Sequence, residues 1–270
     1  MKKLRSDEIM VAIGMDYGAK NTKAVILKNG QILAVSSVLS GFDQKASEEQ
    51  ALNKALNNAG ITKNEINHFT ATGAGMEATT FANDTVTEIS ADARGIIAIF
   101  PSVRTVIDVG AEEGRAIRLN ESGKVVDFGI NEKCAAGAGA FTEAMARALE
   151  IDIEKMGELS LKSTKAVPMN AQCTIFAESE VVSLIHQKTP KEDILRAVHD
   201  AIADRITSMA RRVGIEQDVA LIGGVANNVG FVDSMKRNLK CEILVPEDPI
   251  KPEFVSAYGA ALTAQDRIGG

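Results

Sequence analysis

The sequence predicts an α/β protein of two similar lobes with a cleft between them, and three observations predict it. A pattern of strand, Asp-x-Gly turn, strand, tight hairpin and strand occurs twice. Segments of helical periodicity follow each copy. Each half then carries a later strand that runs into a glycine-rich turn. A chain of 270 residues is long enough to bury two modest cores.

The first copy opens with the apolar run Met10–Met15, which ends at Asp16-Tyr17-Gly18. A second run spans Thr22–Leu27, Asn29-Gly30 marks a hairpin, and a third run covers Gln31–Val35. An Asn-Gly pair between strand-like runs supplies the positive φ angles a two-residue hairpin needs. In the second copy Val103–Ile107 leads into Asp108-Val109-Gly110, then Arg115–Leu119, the turn Glu121-Ser122-Gly123, and Lys124–Phe128. Asp to turn glycine is 14 residues in one copy and 15 in the other, and the copies are offset by 92. Ser47-Glu48-Glu49-Gln50 reads as a capping box opening a helix toward Asn58 that stops at Gly60. In the second half Phe141, Met145, Ala148 and Leu149 recur at helical spacing. So do Phe176, Val181, Leu184 and Ile185, and then Ile194, Val198, Ile202, Ile206 and Met209. The later strands are His68–Ala71, entering Thr72-Gly73-Ala74-Gly75, and Val219–Ile222, entering Gly223-Gly224-Val225-Ala226.

Composition excludes several classes. Apolar residues at 45% and charged residues at 24% are ordinary for a globular chain. A formal charge of −6 argues against nonspecific nucleic-acid binding, which needs a basic footprint. No apolar run approaches the roughly 18 residues of a membrane span, and the Met-Lys-Lys-Leu-Arg opening lacks the apolar segment of a signal peptide. The expected compartment is the cytoplasm. Three cysteines, Cys134, Cys173 and Cys241, are too few for a disulfide framework. The histidines His68, His186 and His199 show no metal-site spacing, and Arg205, Arg211 and Arg212 read as a solvated helix face.

The glycine turns read as phosphate cradles. A strand that ends in Asp-x-Gly presents backbone N–H groups and a carboxylate at a sharp turn, and the glycine lets a phosphate approach without a Cβ in the way. Asp16 and Asp108 repel a polyphosphate directly but suit a hydrated Mg²⁺ that bridges to it through water. Lys23 supplies a point charge. Gly18, Lys20, Asn21 and Thr22 complete the first cradle, and Gly110 and Ala111 the second. Gly223 and Gly224 offer bare backbone to a nucleoside, with Val225 and Asn227 beside them as further contacts.

That ordered set resembles the ATPase fold shared by actin, hexokinase and the large heat-shock chaperones. The resemblance implies ATP or ADP bound between two ribonuclease-H-like lobes. The first lobe would be 1–102 plus 252–270, and the second 103–251. Phe254–Leu262 looks like the helix with which that fold returns to its first lobe.

Cys134 and Cys173 each precede a helix-patterned segment, where a helix N-terminus favours thiolate. Bare chemistry leaves two readings open, small buried hydrophobes or metal ligands. Two thiolates do not complete a four-cysteine site, whereas a two-fold dimer doubles them to four. The segments Asn131-Glu132-Lys133-Cys134-Ala135-Ala136-Gly137-Ala138-Gly139 and Cys173-Thr174-Ile175-Phe176-Ala177-Glu178-Ser179-Glu180-Val181 resemble the cysteine motifs of the activators of 2-hydroxyacyl-CoA dehydratases. These belong to the wider ATPase family that includes benzoyl-CoA reductase subunits. The resemblance implies a homodimer bridged by one 4Fe-4S cluster on Cys134 and Cys173 of each copy, with Gly137, Ala138 and Gly139 at the nucleotide. It also implies ATP-coupled transfer of one low-potential electron from a ferredoxin or flavodoxin to a partner iron–sulfur enzyme. Cys241 matches no ligand and reads as structural.

Two departures stand out. The second phosphate motif of activators reads Asp-Ile-Gly-Gly-Gln-Asp, while this chain has Asp108-Val109-Gly110-Ala111-Glu112-Glu113-Gly114-Arg115, closer to an ATPase chain of benzoyl-CoA reductase. Glu112 takes the Gln place, where a water-orienting role is expected. Ala19-Lys20 replaces Ser-Thr and removes two hydroxyls. The rival readings are an ATPase chain of a benzoyl-CoA-reductase-type complex, a small-molecule kinase of the same fold, and a nucleotide-sensing module without catalysis.

Overall fold

Two sheets of identical strand order carry the chain, as seen in a computed structural model that describes residues 9–131, 137–169 and 174–269. β1 (Val11–Tyr17), β2 (Asn21–Lys28) and β3 (Gln31–Leu39) form an antiparallel meander. After α1 (Gln44–Ala59), β4 (His68–Thr72) joins β1 in parallel, and β5 (Asp84–Thr85) joins β4. α2 (Glu88–Ile99) ends this part. β6 (Thr105–Val109), β7 (Gly114–Leu119) and β8 (Val125–Asn131) repeat the meander. Four helices follow: α3 (Ala138–Ala148), α4 (Ile153–Ser160), α5 (Thr174–His186) and α6 (Lys191–Val213). β9 (Val219–Ile222) then joins β6 in parallel, and after α7 (Val229–Leu239) β10 (Ile243–Leu244) joins β9. α8 (Val255–Gly269) closes the chain.

The orders are β3-β2-β1-β4-β5 and β8-β7-β6-β9-β10, with the same sense at every pairing. The repeat extends to irregularities. The outer hairpin shifts register after Ile26 in one sheet and after Arg118 in the other, each ten residues beyond its aspartate.

Contacts divide the chain into two units, Met1–Pro101 with Glu247–Gly270, and Ser102–Pro246. In the first, Ile13, Met15 and Tyr17 of β1 pack with Leu52 and Ala55 of α1. The alternate residues of β1 face α8, which lies so close that a Cβ on Gly14 would overlap the backbone of Ala257 and Ala261. A sheet clamped on both faces fixes where β1 ends, and therefore where Asp16 stands. In the second unit Phe141, Met145, Ile194, Val198, Ile202, Ile206 and Phe231 share one core.

Two local expectations change. α1 is capped by Asp43, whose carboxylate accepts from Lys45 N at 3.0 Å and Ala46 N at 3.1 Å, so the helix starts before the Ser47 box. Gly60, at φ 65°, closes it as expected. On α5 the buried stripe is Ala177, Val181 and Leu184, whereas Phe176 and Ile185 are exposed, because a helix has room for one covered stripe. Among the described residues no helix is long and apolar enough to cross a membrane.

Candidate functional site

In the first unit the turn between β1 and β2 is built around Asp16. Antiparallel register sets Lys23 directly opposite, and its Nζ donates to Asp16 Oδ2 at 2.7 Å. Lys23 therefore acts at this turn through Asp16, which it holds in place. Ser40 Oγ donates to the Gly18 carbonyl at 2.6 Å, and Ser40 N to the Lys20 carbonyl at 2.9 Å. Thr22 is buried with its hydroxyl 3.1 Å from Ser40 Oγ, so it braces the turn from inside. Lys20 is exposed, and Gly18 and Asn21 are half-buried. Gly73, at φ 96° where β4 ends, backs onto the aspartate: a Cβ there would sit 2.6 Å from Asp16 Oδ1.

Sequence reasoning missed the anchor beneath this turn. Glu48, read as a capping residue, is 1% exposed and accepts from the Tyr17 hydroxyl. It also accepts from Thr79 Oγ1 at 2.5 Å, Thr80 N at 3.2 Å and Thr80 Oγ1 at 2.9 Å. Burial, reinforced by the Glu48 carboxylate, pushes the Tyr17 phenol far above its ordinary pKa. Tyr17 remains a neutral donor and ties the Asp16 turn to α1.

The second unit repeats the plan. Arg115 stands opposite Asp108 and donates from Nη1 to Asp108 Oδ2 at 2.6 Å, while its Nη2 donates to Glu113 Oε2 at 2.9 Å. Gly110 N donates to the Glu113 carbonyl at 2.9 Å and closes the turn. Gly223 occupies the place of Gly73, and a Cβ on it would overlap Asp108 Oδ1. Each turn thus has an aspartate at a strand end, a cation seven residues later on the paired strand, and a positive-φ glycine where the parallel neighbour ends. Arg115 and Gly73 went unassigned in the sequence, although the shared spacing of seven would have found the first.

Gly224–Asn227 form a short 3-10 turn in which Val225 is buried, and Asn227 Nδ2 donates to the Gly224 carbonyl at 3.2 Å. The start of α3 lies against the Asp108 turn. Gly139 N donates to the Gly110 carbonyl at 3.1 Å, and Ala140 N to the Ala111 carbonyl at 3.0 Å. A Cβ on Gly137 would overlap the Glu112 backbone. Gly137, Ala138 and Gly139 therefore hold the turn from behind, with the Gly139 N–H already committed. Glu112 is exposed and makes no hydrogen bond or ion pair among the described residues. The expected cluster ligands Cys134 and Cys173 lie outside the described residues. Cys241 packs half-buried against the core, and burial raises its thiol pKa.

His199 is fully buried on α6. Its Nε2 lies 3.0 Å from Asn228 Nδ2, and its Nδ1 lies 3.1 Å from Ser160 Oγ, which itself donates to the Gly157 carbonyl. Asn228 Nδ2 is a donor only, so the network assigns the proton to Nδ1. Asn228 in turn caps α7 through Gly230 N and Phe231 N. Burial pushes the His199 pKa down to about 4, with Asp200 pulling the other way. The unfolded chain takes up this proton near pH 6.5 and the folded chain does not, so stability falls as pH drops from about 6.5 toward 4, by about 3 kcal/mol. Denaturant unfolding at pH 7, 5.5 and 4 should show the gap between the parent and His199→Gln narrowing in that window. A constant gap would contradict it.

Each turn can bind a phosphate through backbone N–H groups or a hydrated divalent cation through one carboxylate. The donor set suits Mg²⁺, which keeps several waters and needs one or two carboxylates, since one oxygen of each aspartate is already taken by a cation. Among the described residues no group of three or more His, Cys, Asp or Glu is placed to hold a metal.

Comparisons with known proteins follow the same line. The activator of lactoyl-CoA dehydratase from Anaerotignum propionicum is 38% identical over 257 residues, covering 95% of this chain and 98% of that one. The 2-hydroxyisocaproyl-CoA dehydratase activator of Clostridioides difficile is 36% identical over 257 residues, 95% of this chain and 96% of its own. The structure of that activator with bound ADPNP matches with a TM-score of 0.91 over 96% of this chain and 95% of the other, so the actin-like ATPase fold expected from the sequence is the one present. One of the benzoyl-CoA reductase subunits of Thauera aromatica is 28% identical over 261 residues, 93% of this chain and 92% of that one. The family model described as the BadF/BadG/BcrA/BcrD ATPase family matches residues 13–264. The chain belongs to the BadF/BadG/BcrA/BcrD ATPase family.

Proposed function

We propose that this chain is an ATP-dependent reductive activator. As a homodimer it passes one low-potential electron, taken from a ferredoxin or flavodoxin, to a partner iron–sulfur enzyme of the 2-hydroxyacyl-CoA dehydratase or related reductase type. The observation that carries the reading is the identity of 36–38% over 95% of the chain to two dehydratase activators. The residues have these roles. The Asp16 and Asp108 turns hold the phosphates of ATP and a hydrated Mg²⁺, and Gly223 and Gly224 face the nucleoside. Glu112 orients the attacking water. Cys134 and Cys173 of both copies hold one 4Fe-4S cluster, which when bound supplies a one-electron store. α3 links the two functions: its first turn is hydrogen-bonded to the Gly110 and Ala111 carbonyls, and it begins four residues after Cys134. A shift of the phosphate turn is therefore carried by α3 as a rigid-body movement.

A second reading, an ATPase chain of a benzoyl-CoA-reductase-type complex, is favoured by the Asp108–Arg115 string and by the Thauera relative. Anaerobic purification with iron and sulfide analysis and a mass measurement tests both. The first reading expects two chains with four irons. A colourless single chain that gains iron only with a different ATPase chain supports the second. Cys134→Ala is expected to lose the iron and its visible absorbance while Cys241→Ala keeps them. Full iron in Cys134→Ala would remove that residue as a ligand.

A further inference from the structure

We infer that Arg205 is a positioning residue for Glu112, and that the two side chains pair across the pocket behind the Gly110–Gly114 turn. The inference rests on the ATPase role of that turn. Arg205 lies on α6 with its guanidinium 5.9 Å from the centre of the Phe141 ring of α3. Its Nη2 is fully enclosed and has no hydrogen-bond partner among the described residues. A buried guanidinium N–H without an acceptor is unfavourable. The pocket it enters is lined by Glu112, Asn131, Gly137, Ala138 and Ile202. Gly137 and Ala138 are the start of α3, the positive end of a helix dipole, so a cation there calls for an anion beside it. Glu112 is the acid among the described lining residues, and it makes no hydrogen bond or ion pair among the described residues.

Pairing would satisfy both groups. One carboxylate oxygen of Glu112 accepts from Arg205, which fixes the side chain and leaves the other oxygen to orient water. The arrangement also accounts for a glutamate in a place where activators carry Gln. A free carboxylate next to ATP repels the phosphates, whereas one neutralised by Arg205 does not. Because Arg205 also rests on Phe141, the pair joins the turn, α3 and α6.

The test is a double-mutant cycle on the full chain, with steady-state Mg-ATP hydrolysis and thermal unfolding of the parent, Arg205→Gln, Arg205→Lys, Glu112→Gln and the Arg205→Gln/Glu112→Gln double variant. Arg205→Gln is expected to lower kcat about tenfold with KM within about twofold, and Arg205→Lys to recover part of the loss. In the Glu112→Gln background Arg205→Gln should cause no further loss. A parental kcat in Arg205→Gln, a loss confined to KM, or losses that multiply in the double variant would each overturn the pairing. If Arg205→Gln does not fold, Arg205→Lys carries the test alone: its kcat must fall in the parent and stay unchanged in Glu112→Gln. A parent chain that hydrolyses no ATP removes the ATPase reading and the pairing together, while an active parent with an unaffected Arg205→Gln removes only the pairing.

Discussion

Gly223→Ala is expected to abolish ATP turnover and to destabilise the fold by about 3 kcal/mol. Gly223 sits at φ 86° and ψ 170°, a region that essentially only glycine enters. The added Cβ would also overlap Asp108 Oδ1 and crowd the Val109 carbonyl. Asp108 has nowhere to retreat, since its other oxygen is held by Arg115 at 2.6 Å. Either the carboxylate leaves Arg115 or β9 moves away from β6, and both disrupt the Asp108 turn proposed to hold the phosphates. Gly224→Ala is the control one residue away, because its Cβ would meet nothing within 4 Å. That variant should unfold at the parental temperature, so any loss of ADP affinity in it reports a ligand approaching Gly224. Thermal unfolding and ADP titration separate the two. A Gly223→Ala chain with parental unfolding temperature and turnover would show that the glycine is not required where β9 meets Asp108.

The contrast between these neighbours illustrates which features the sequence discloses. Both meanders and all four glycine turns are legible because each is a local backbone demand. Asn29 at φ 51° and Gly30 at φ 81° supply the hairpin angles, and the Asp-x-Gly spacing repeats because the same strand geometry does. Partners that arrive from distant elements are not legible. Glu48 obeys the local rule for a helix start, yet it ends beneath Tyr17 because α1 packs on the face of β1 that carries that ring. Nor is it legible that Gly139 and Ala140 donate their N–H groups to the carbonyls of Gly110 and Ala111 in the Asp108 turn. Arg205 reads as a solvated position because α6 periodicity alone does not reveal that one of its nitrogens is enclosed. Lys23 and Arg115 are intermediate cases. Their chemistry is plain, but only the strand register shows that each faces an aspartate.

Asp108→Asn and Asp16→Asn are expected to lower ATP turnover at least about a hundredfold each, with unequal effects on stability. Asparagine keeps the shape and removes the charge. At Asp108 the change removes the 2.6 Å ion pair of Arg115, whose side chain is 9% exposed and also pairs with Glu113, so a loss of about 2 kcal/mol is expected. At Asp16 the cation that loses its ion pair is Lys23, on a flexible stem with its side chain 15% exposed, and its ammonium can turn toward water. The stability loss there should be about 1 kcal/mol. If the carboxylates served only to neutralise their cations, turnover would track the folded fraction, and the two variants would stay nearly as active as the parent at a temperature where both are folded. If each holds hydrated Mg²⁺, turnover falls equally in both, and each variant needs more Mg²⁺ for half-maximal rate. Phosphate release measured against Mg²⁺ concentration, alongside denaturant unfolding, distinguishes the two. A parental Mg²⁺ requirement in both variants would take the aspartates out of the metal role and leave them as anchors for Lys23 and Arg115.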